Sequence, residues 1–202
     1  LGYSRIYSAP QISLIERLEV MARKAREVIP GQAMHIVARG RAISPIFLSD
    51  ELKLSSLAWL RDASKHYELA VHAYCILANR VELLATPKHE QSLARTMQSF
   101  GRRYTQLFNQ LHGQTGTIWQ DRYVSKIIQA DLDLLETQAR IEFAAVSEGL
   151  VTHPKEYRWS SYRIHIGEDP NYGLTDARAF WALGNTPFER QRAWELRLGQ
   201  GI

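Results

Sequence analysis

Two β-rich runs joined by a two-residue turn constrain this chain more than any other feature. Leu69–Leu77 reads Leu-Ala-Val-His-Ala-Tyr-Cys-Ile-Leu, and after Ala78-Asn79 a second run extends from Arg80 to Thr86. A turn that short brings the two runs back side by side as antiparallel partners. Pro87 closes the second run because it has no N–H to give to a ladder. Around this hairpin the periodicity alternates. Ala33 to Arg39 reads as a strand stopped by Gly40. Ser49-Asp50 caps a helix running to about His66, with Leu52, Leu57 and Leu60 on its apolar face. A long helix spans about Glu90 to His112, with Leu93, Met97, Phe100, Tyr104, Leu107 and Leu111 at helical spacing. Residues 113–116 form a loop, Arg122 to Gln129 a further strand, and Asp131 to Val146 another helix. Trp159-Ser-Ser-Tyr162 and a Gly/Pro/Asn-rich stretch lead to a last helix at about Pro187 to Leu198.

The order strand, helix, strand, strand, helix, strand is the split βαβ pattern. It predicts an α+β, ferredoxin-like or RRM-like fold: a four-stranded antiparallel sheet with two helices on one face, an additional late helix and a C-terminal helical tail. At 202 residues and 45% hydrophobic, the chain can bury a core of useful size. That fold hosts many functions and names none of them.

Charge narrows the choice. The formal net charge is +4. Between residues 95 and 126, Arg95, Arg102, Arg103, Arg122 and Lys126 face Asp121 alone, so the stretch carries the excess of the whole chain. Arg23, Lys24 and Arg26 form a second cluster suited to a short groove-reaching arm. Arg95 and Arg102 lie seven residues apart and share a helix face. Trp119, Arg122, Tyr123 and Lys126 mix flat rings with cations, which suits phosphate contact plus base stacking. The plainer reading is a solvated helix face beside buried aromatics. Cys75 is the single cysteine, so no internal disulfide forms and a cytoplasmic location is expected. No run is long and apolar enough to predict a membrane span.

Several stretches, in order, resemble the REP-associated tyrosine transposases, members of the single-tyrosine HUH group. They include His35-Ile-Val-Ala-Arg-Gly40, Val71-His-Ala-Tyr74, Leu83-Leu-Ala-Thr-Pro87, Met97-Gln-Ser-Phe-Gly-Arg-Arg-Tyr104, Gly116-Thr-Ile-Trp-Gln-Asp-Arg-Tyr123 and Tyr157-Arg-Trp-Ser-Ser-Tyr162. The likeness covers roughly residues 21–165, leaving 1–20 as an N-terminal extension and 166–202 as a tail. It implies recognition of hairpin or single-stranded DNA of the palindromic repeat type, by a monomer or a homodimer. It also implies a divalent metal such as Mg, held by two histidines flanking one hydrophobic residue on a strand. The family's tyrosine sits on the late helix and attacks phosphorus, and a polar residue one turn later completes the metal shell.

Here all four positions differ. Asn79-Arg80-Val81-Glu82-Leu83-Leu84 stands where the family has Asn-His-Val-His-Leu-Leu, and Arg140-Ile141-Glu142-Phe143-Ala144 where it has Tyr-Ile-Glu-Leu-Asn. Arg80, Glu82, Arg140 and Ala144 therefore predict a centre with no intact catalytic group, no cofactor and no strand cleavage. A guanidinium stays protonated and neither attacks phosphorus nor ligates a cation. Two rivals stand beside this reading: an active nickase using other residues, such as Tyr104 or Tyr123, and a non-DNA interaction module. Arg140 is expected to pair with Glu82 across the gap between helix and sheet. His35, His72, Tyr74, Tyr104 and Cys75 are expected to be structural, with His72 facing away from Arg80 and Glu82.

Overall fold

The hairpin forms as its turn requires. In the computed structural model, which describes residues 27–41, 45–171 and 173–199, β2 (Leu69–Leu77) and β3 (Arg80–Pro87) are antiparallel, with Leu77 opposite Arg80 and Cys75 opposite Glu82. The extension 1–20 and the arm Arg23, Lys24 and Arg26 lie outside those residues. β1 (Met34–Arg39) pairs with the other side of β3, and β4 (Val124–Ile127) pairs with β1, giving the order β2-β3-β1-β4. This is the expected ferredoxin-like sheet. β4 is shorter than the run read from the sequence, because only Val124 to Ile127 lies opposite β1.

Alternation sorts the strand side chains between two cores. Met34, Ile36, Ala38, Val81, Leu83 and Ala85 face one side. There α1 (Asp50–His66) and α2 (Ser92–His112) cover them with Leu52, Leu60, Leu93, Met97, Phe100 and Tyr104. Ala73, Cys75, Leu77 and Leu84 face the other side, under α3 (Asp131–Glu142). With both faces covered, the central strands are apolar almost throughout. Each fully buried side chain of Leu or Phe size stabilises by about 1.5–3 kcal/mol.

Local chemistry sets the helix ends. Ser49 Oγ accepts from Leu52 N–H at 3.3 Å, and Asp50 and Glu51 complement the helix dipole at the start of α1. On α2 the buried line runs Leu93, Met97, Phe100, Tyr104, Phe108. Leu111, expected on that line, is exposed: by angle it stays on the stripe, but it lies in the last turn of the helix, where residues 110–117 are all exposed. The late helix was expected unbroken to Val146. Instead Phe143 takes φ −87 and ψ 0, and α4 (Ala144–Ser147) follows. Phe143 N–H still bonds Ala139 O and Ser147 N–H bonds Phe143 O, so the path bends there and does not stop.

The Trp159-Ser-Ser-Tyr162 segment covers the outer edge of β2. Ile76 N–H donates to Trp159 O, and Ser161 N–H donates to Tyr74 O, both at 2.9 Å. An edge paired in this way offers no template to another chain. Beyond it, α5 (Tyr162–His165), α6 (Arg178–Trp181) and α7 (Pro187–Gly199) fold back, and Trp194 of α7 is fully buried in the second core.

Gly40 packs against the hairpin turn. Its N–H donates to Asn79 O at 2.8 Å, and a Cβ there would sit 2.1 Å from Asn79 Oδ1 and 2.9 Å from an Ile46 methyl. Gly40→Ala should therefore cost about 1–3 kcal/mol. Urea midpoints for wild type, Gly40→Ala, Asn79→Ala and the double variant measure it, and additive losses would show that the two sites do not touch.

Candidate functional site

Strand register brings the replaced positions together. Arg80 and Glu82 are two apart on β3 and project to the same face. Leu84 continues that face, and His35 of β1 lies opposite Leu84. The Glu82 carboxylate accepts from Arg80 Nε at 2.6 Å on one oxygen, and His35 Nε2 lies 3.1 Å from the other. Arg80 also pairs through Nη1 with Glu148, just past α4. Gly149 follows at φ 68, where a side chain would be strained, and lets the chain turn away from that contact.

Arg140 does not pair with Glu82. Its Nη2 lies 3.5 Å from His35 Nδ1, so the imidazole stands between guanidinium and carboxylate. The reason is local: Arg80 on the same strand is closer, and with His35 it occupies both carboxylate oxygens. Arg140 is left exposed at the mouth of a cleft, and Ala144 is buried with only a methyl to offer.

Burial pushes the Glu82 carboxyl upward, but hydrogen bonds from His35 and Arg80 outweigh it and hold the pKa at about 2. A divalent cation does not fit these residues. Position 80 presents a cation, the Glu82 oxygens are already taken, and positions 140 and 144 present a cation and a methyl. Among the described residues no three His, Cys, Asp or Glu side chains converge as a ligand set.

Directly behind Arg140 lies a buried polar node absent from the sequence reading. Glu142 is fully buried and accepts from Ser161 Oγ at 2.7 Å and Trp194 Nε1 at 2.8 Å, with His165 Nδ1 at 2.5 Å. It ties the late helix to the β2 edge segment and to α7. The available signal was the position of Glu142, three residues after Ala139 and seven after Leu135 on the buried face of the helix; its partners lie up to 52 residues away and could not be read from spacing.

The basic stretch divides between two faces. Arg102, Trp119, Arg122 and Tyr123 line one groove beside α2, together with Asp121. Trp119 is half-buried there, its Nε1 donating to Gly101 O at 3.2 Å and its ring against Phe47, Phe100 and Tyr104. Arg95 lines a separate depression with Glu68 and His89, although it shares the exposed side of α2 with Arg102. Arg103 is exposed and lines neither of them. Lys126 projects to the opposite face, into the cleft with His35 and Arg140.

The remaining candidates are internal. Tyr104 is buried and its hydroxyl donates to Ile46 O at 2.5 Å, and burial raises its pKa. Burial likewise raises the Cys75 thiol and the Tyr74 hydroxyl. His72 is bonded through both ring nitrogens, to Thr175 O at 2.6 Å and Thr86 Oγ1 at 2.7 Å. It does not face away from the Glu82 side, because a bulge between Val71 and Ala73 breaks the alternation and turns the ring toward Thr86.

The model of the IS200-like transposase family matches residues 29–142. The chain belongs to the IS200-like transposase family. Membership places it among proteins of DNA transposition, and the matched segment holds the whole sheet, Arg80, Glu82 and Arg140. A solved REP-associated tyrosine transposase bound to a REP hairpin shares this IS200-like fold at a TM-score of 0.58 and 17% identity, over 79% of this chain and 96% of that one. A structure from Deinococcus radiodurans R1 described as a transposase aligns at a TM-score of 0.42 and 20% identity, over 57% of this chain and 93% of that one. No protein of curated function matches the sequence. Among the described residues of this IS200-like chain, no helix is long and apolar enough to cross a membrane.

Proposed function

We propose that this IS200-like protein binds hairpin or single-stranded repeat DNA and does not cut it. The observation that carries the reading is the pairing of Glu82 with Arg80 and His35 where its family would hold a metal, with Arg140 at the position of the attacking tyrosine. Lone guanidinium groups neither activate water nor form a phosphotyrosine-like link. The groove of Arg102, Arg122 and Tyr123 supplies what binding needs: cations for phosphates and a ring for an unpaired base. A similar fold bound to a REP hairpin supports the choice of ligand.

Repeat hairpins from the source genome, labelled at one end, test both halves. Binding should persist in EDTA and weaken steeply with salt. Arg102→Ala with Arg122→Ala should lower affinity and reduce the log–log salt slope by about 2. A nicked or covalently protein-bound product in magnesium would refute the loss of cutting. Absence of salt-sensitive binding to any hairpin would refute the DNA partner.

A further inference from the structure

A cavity of about 310 Å³ lies between α1, the outer strand β2 and the segment after α5. It shares no lining residue with the groove beside α2 or with the cleft at the replaced centre. Most of its wall is apolar: Leu57 and Leu60 of α1, Val71 and Tyr74 of β2, and Leu174. Its volume is roughly twice that of an apolar cavity that takes up benzene. Leu174 is fixed as the far wall by polar anchors. Its N–H donates to Asn171 Oδ1 at 2.7 Å. The next residue, Thr175, donates its N–H to Val71 O at 2.8 Å, and its own carbonyl oxygen lies 2.6 Å from His72 Nδ1.

Two polar side chains interrupt this lining, and both come from α1. Arg61 and Ser64 stand three residues apart, so they share a helix face. Ser64 is 6% exposed, and its Oγ has no hydrogen-bond partner among the described residues. A buried hydroxyl left unpaired costs about 1–3 kcal/mol. Arg61 is half-exposed, and its acidic neighbour Asp62 stands at 3.8 Å, outside hydrogen-bonding reach. A Cβ on residue 173 would fall 3.0 Å from Arg61 Cγ and 3.1 Å from its Cδ. Gly173 therefore lets the Arg61 stem lie along the backbone and keeps the arginine at the rim.

We infer that this cavity binds a small aromatic carboxylate. A body of about two fused rings fills the apolar part, where Tyr74 and branched side chains suit a flat face. The carboxylate accepts from the Arg61 guanidinium and from the Ser64 hydroxyl. A neutral molecule of the same shape leaves the charge of Arg61 unanswered, so the acid group sets the preference. A phosphate or a dicarboxylate matches poorly, because a single cation faces an otherwise apolar lining. The inference does not rest on the DNA-binding reading, which uses other residues.

Calorimetric titration of the full chain with 2-naphthoate and with 2-naphthalenemethanol tests the site. Wild type should bind one naphthoate per chain, roughly tenfold more tightly than the alcohol. Arg61→Gln should bring the two affinities together, since the charge is gone while the apolar walls remain. Ala58→Phe, on the α1 wall, puts a ring into the cavity and should abolish binding of both. Circular dichroism establishes that each variant is folded. A second measurement needs no variant: in wild type, NOEs from the naphthoate ring protons should reach the methyl groups of Leu57, Val71 and Leu174. Absence of saturable naphthoate binding, binding that survives in folded Ala58→Phe, or NOEs to other methyl groups alone overturns the site. Equal affinity of wild type for acid and alcohol overturns the carboxylate.

Discussion

Glu142→Ala is expected to lower the melting temperature by on the order of 10 °C. The carboxylate is fully buried and has Ser161 Oγ, Trp194 Nε1 and the His165 ring as partners. Truncation removes the acceptor and leaves these buried donors without one, as well as a small cavity. Leaving a buried donor without its acceptor costs about 1–3 kcal/mol, and more than one donor is orphaned here. At this chain length each kcal/mol corresponds to roughly 2–4 °C. Trp194→Phe keeps the ring and removes only the N–H, so it should cost about 1 kcal/mol. In the double variant the two losses should fall short of their sum, because the Trp194 N–H has no acceptor left to lose. Calorimetry on the four proteins settles it. A Glu142→Ala loss under 1 kcal/mol would show that the node is not holding the late helix to the rest of the fold.

That node marks the boundary of what the sequence discloses. The hairpin, the helices around it and the sheet order were legible because they rest on local rules: a short turn, alternation along strands and a 3.6-residue stripe along helices. The same rules placed Arg80 and Glu82 on one face. They did not give the partner of Glu82. Strand parity sets the face a side chain takes, while the choice among several partners on that face depends on register with β1, which no local pattern encodes. His35 is opposite Leu84 and so lies diagonal to Glu82, close enough to displace Arg140 as its partner. The bulge at His72 was hidden for a related reason: nothing in Val71-His-Ala73 announces an extra residue, and the alternation assumed for the strand inverted the side on which the ring lies.

The division of the basic stretch follows from the same logic. Charge counting treats Arg122 and Lys126 as neighbours. In the fold Arg122 lines the groove beside α2, and Lys126 lines the cleft on the opposite face. A charge run read in one dimension overstates the density of any one surface.

Glu82→Gln is expected to remove a limb of the acid-denaturation profile. The Glu82 pKa is lowered from 4.5 to about 2 in the folded protein. A carboxyl depressed on folding stabilises the native state at every pH above its unfolded value. That contribution fades as pH falls from about 4.5 toward 2, where folded and unfolded forms are both protonated. At neutral pH the shift corresponds to on the order of 3 kcal/mol, and the 11% side-chain exposure leaves little room for solvent screening. Burial works against ionisation, so this stability comes from Arg80 and His35, and Gln cannot reproduce the charge between them. Urea midpoints at a series of pH values should show wild type and Glu82→Gln widely separated at pH 7 and converging as pH approaches 2. A gap that stays constant across that range would mean that the amide fails by shape alone. Convergence would show that ionised Glu82, held by Arg80 and His35, supplies the attraction at this position.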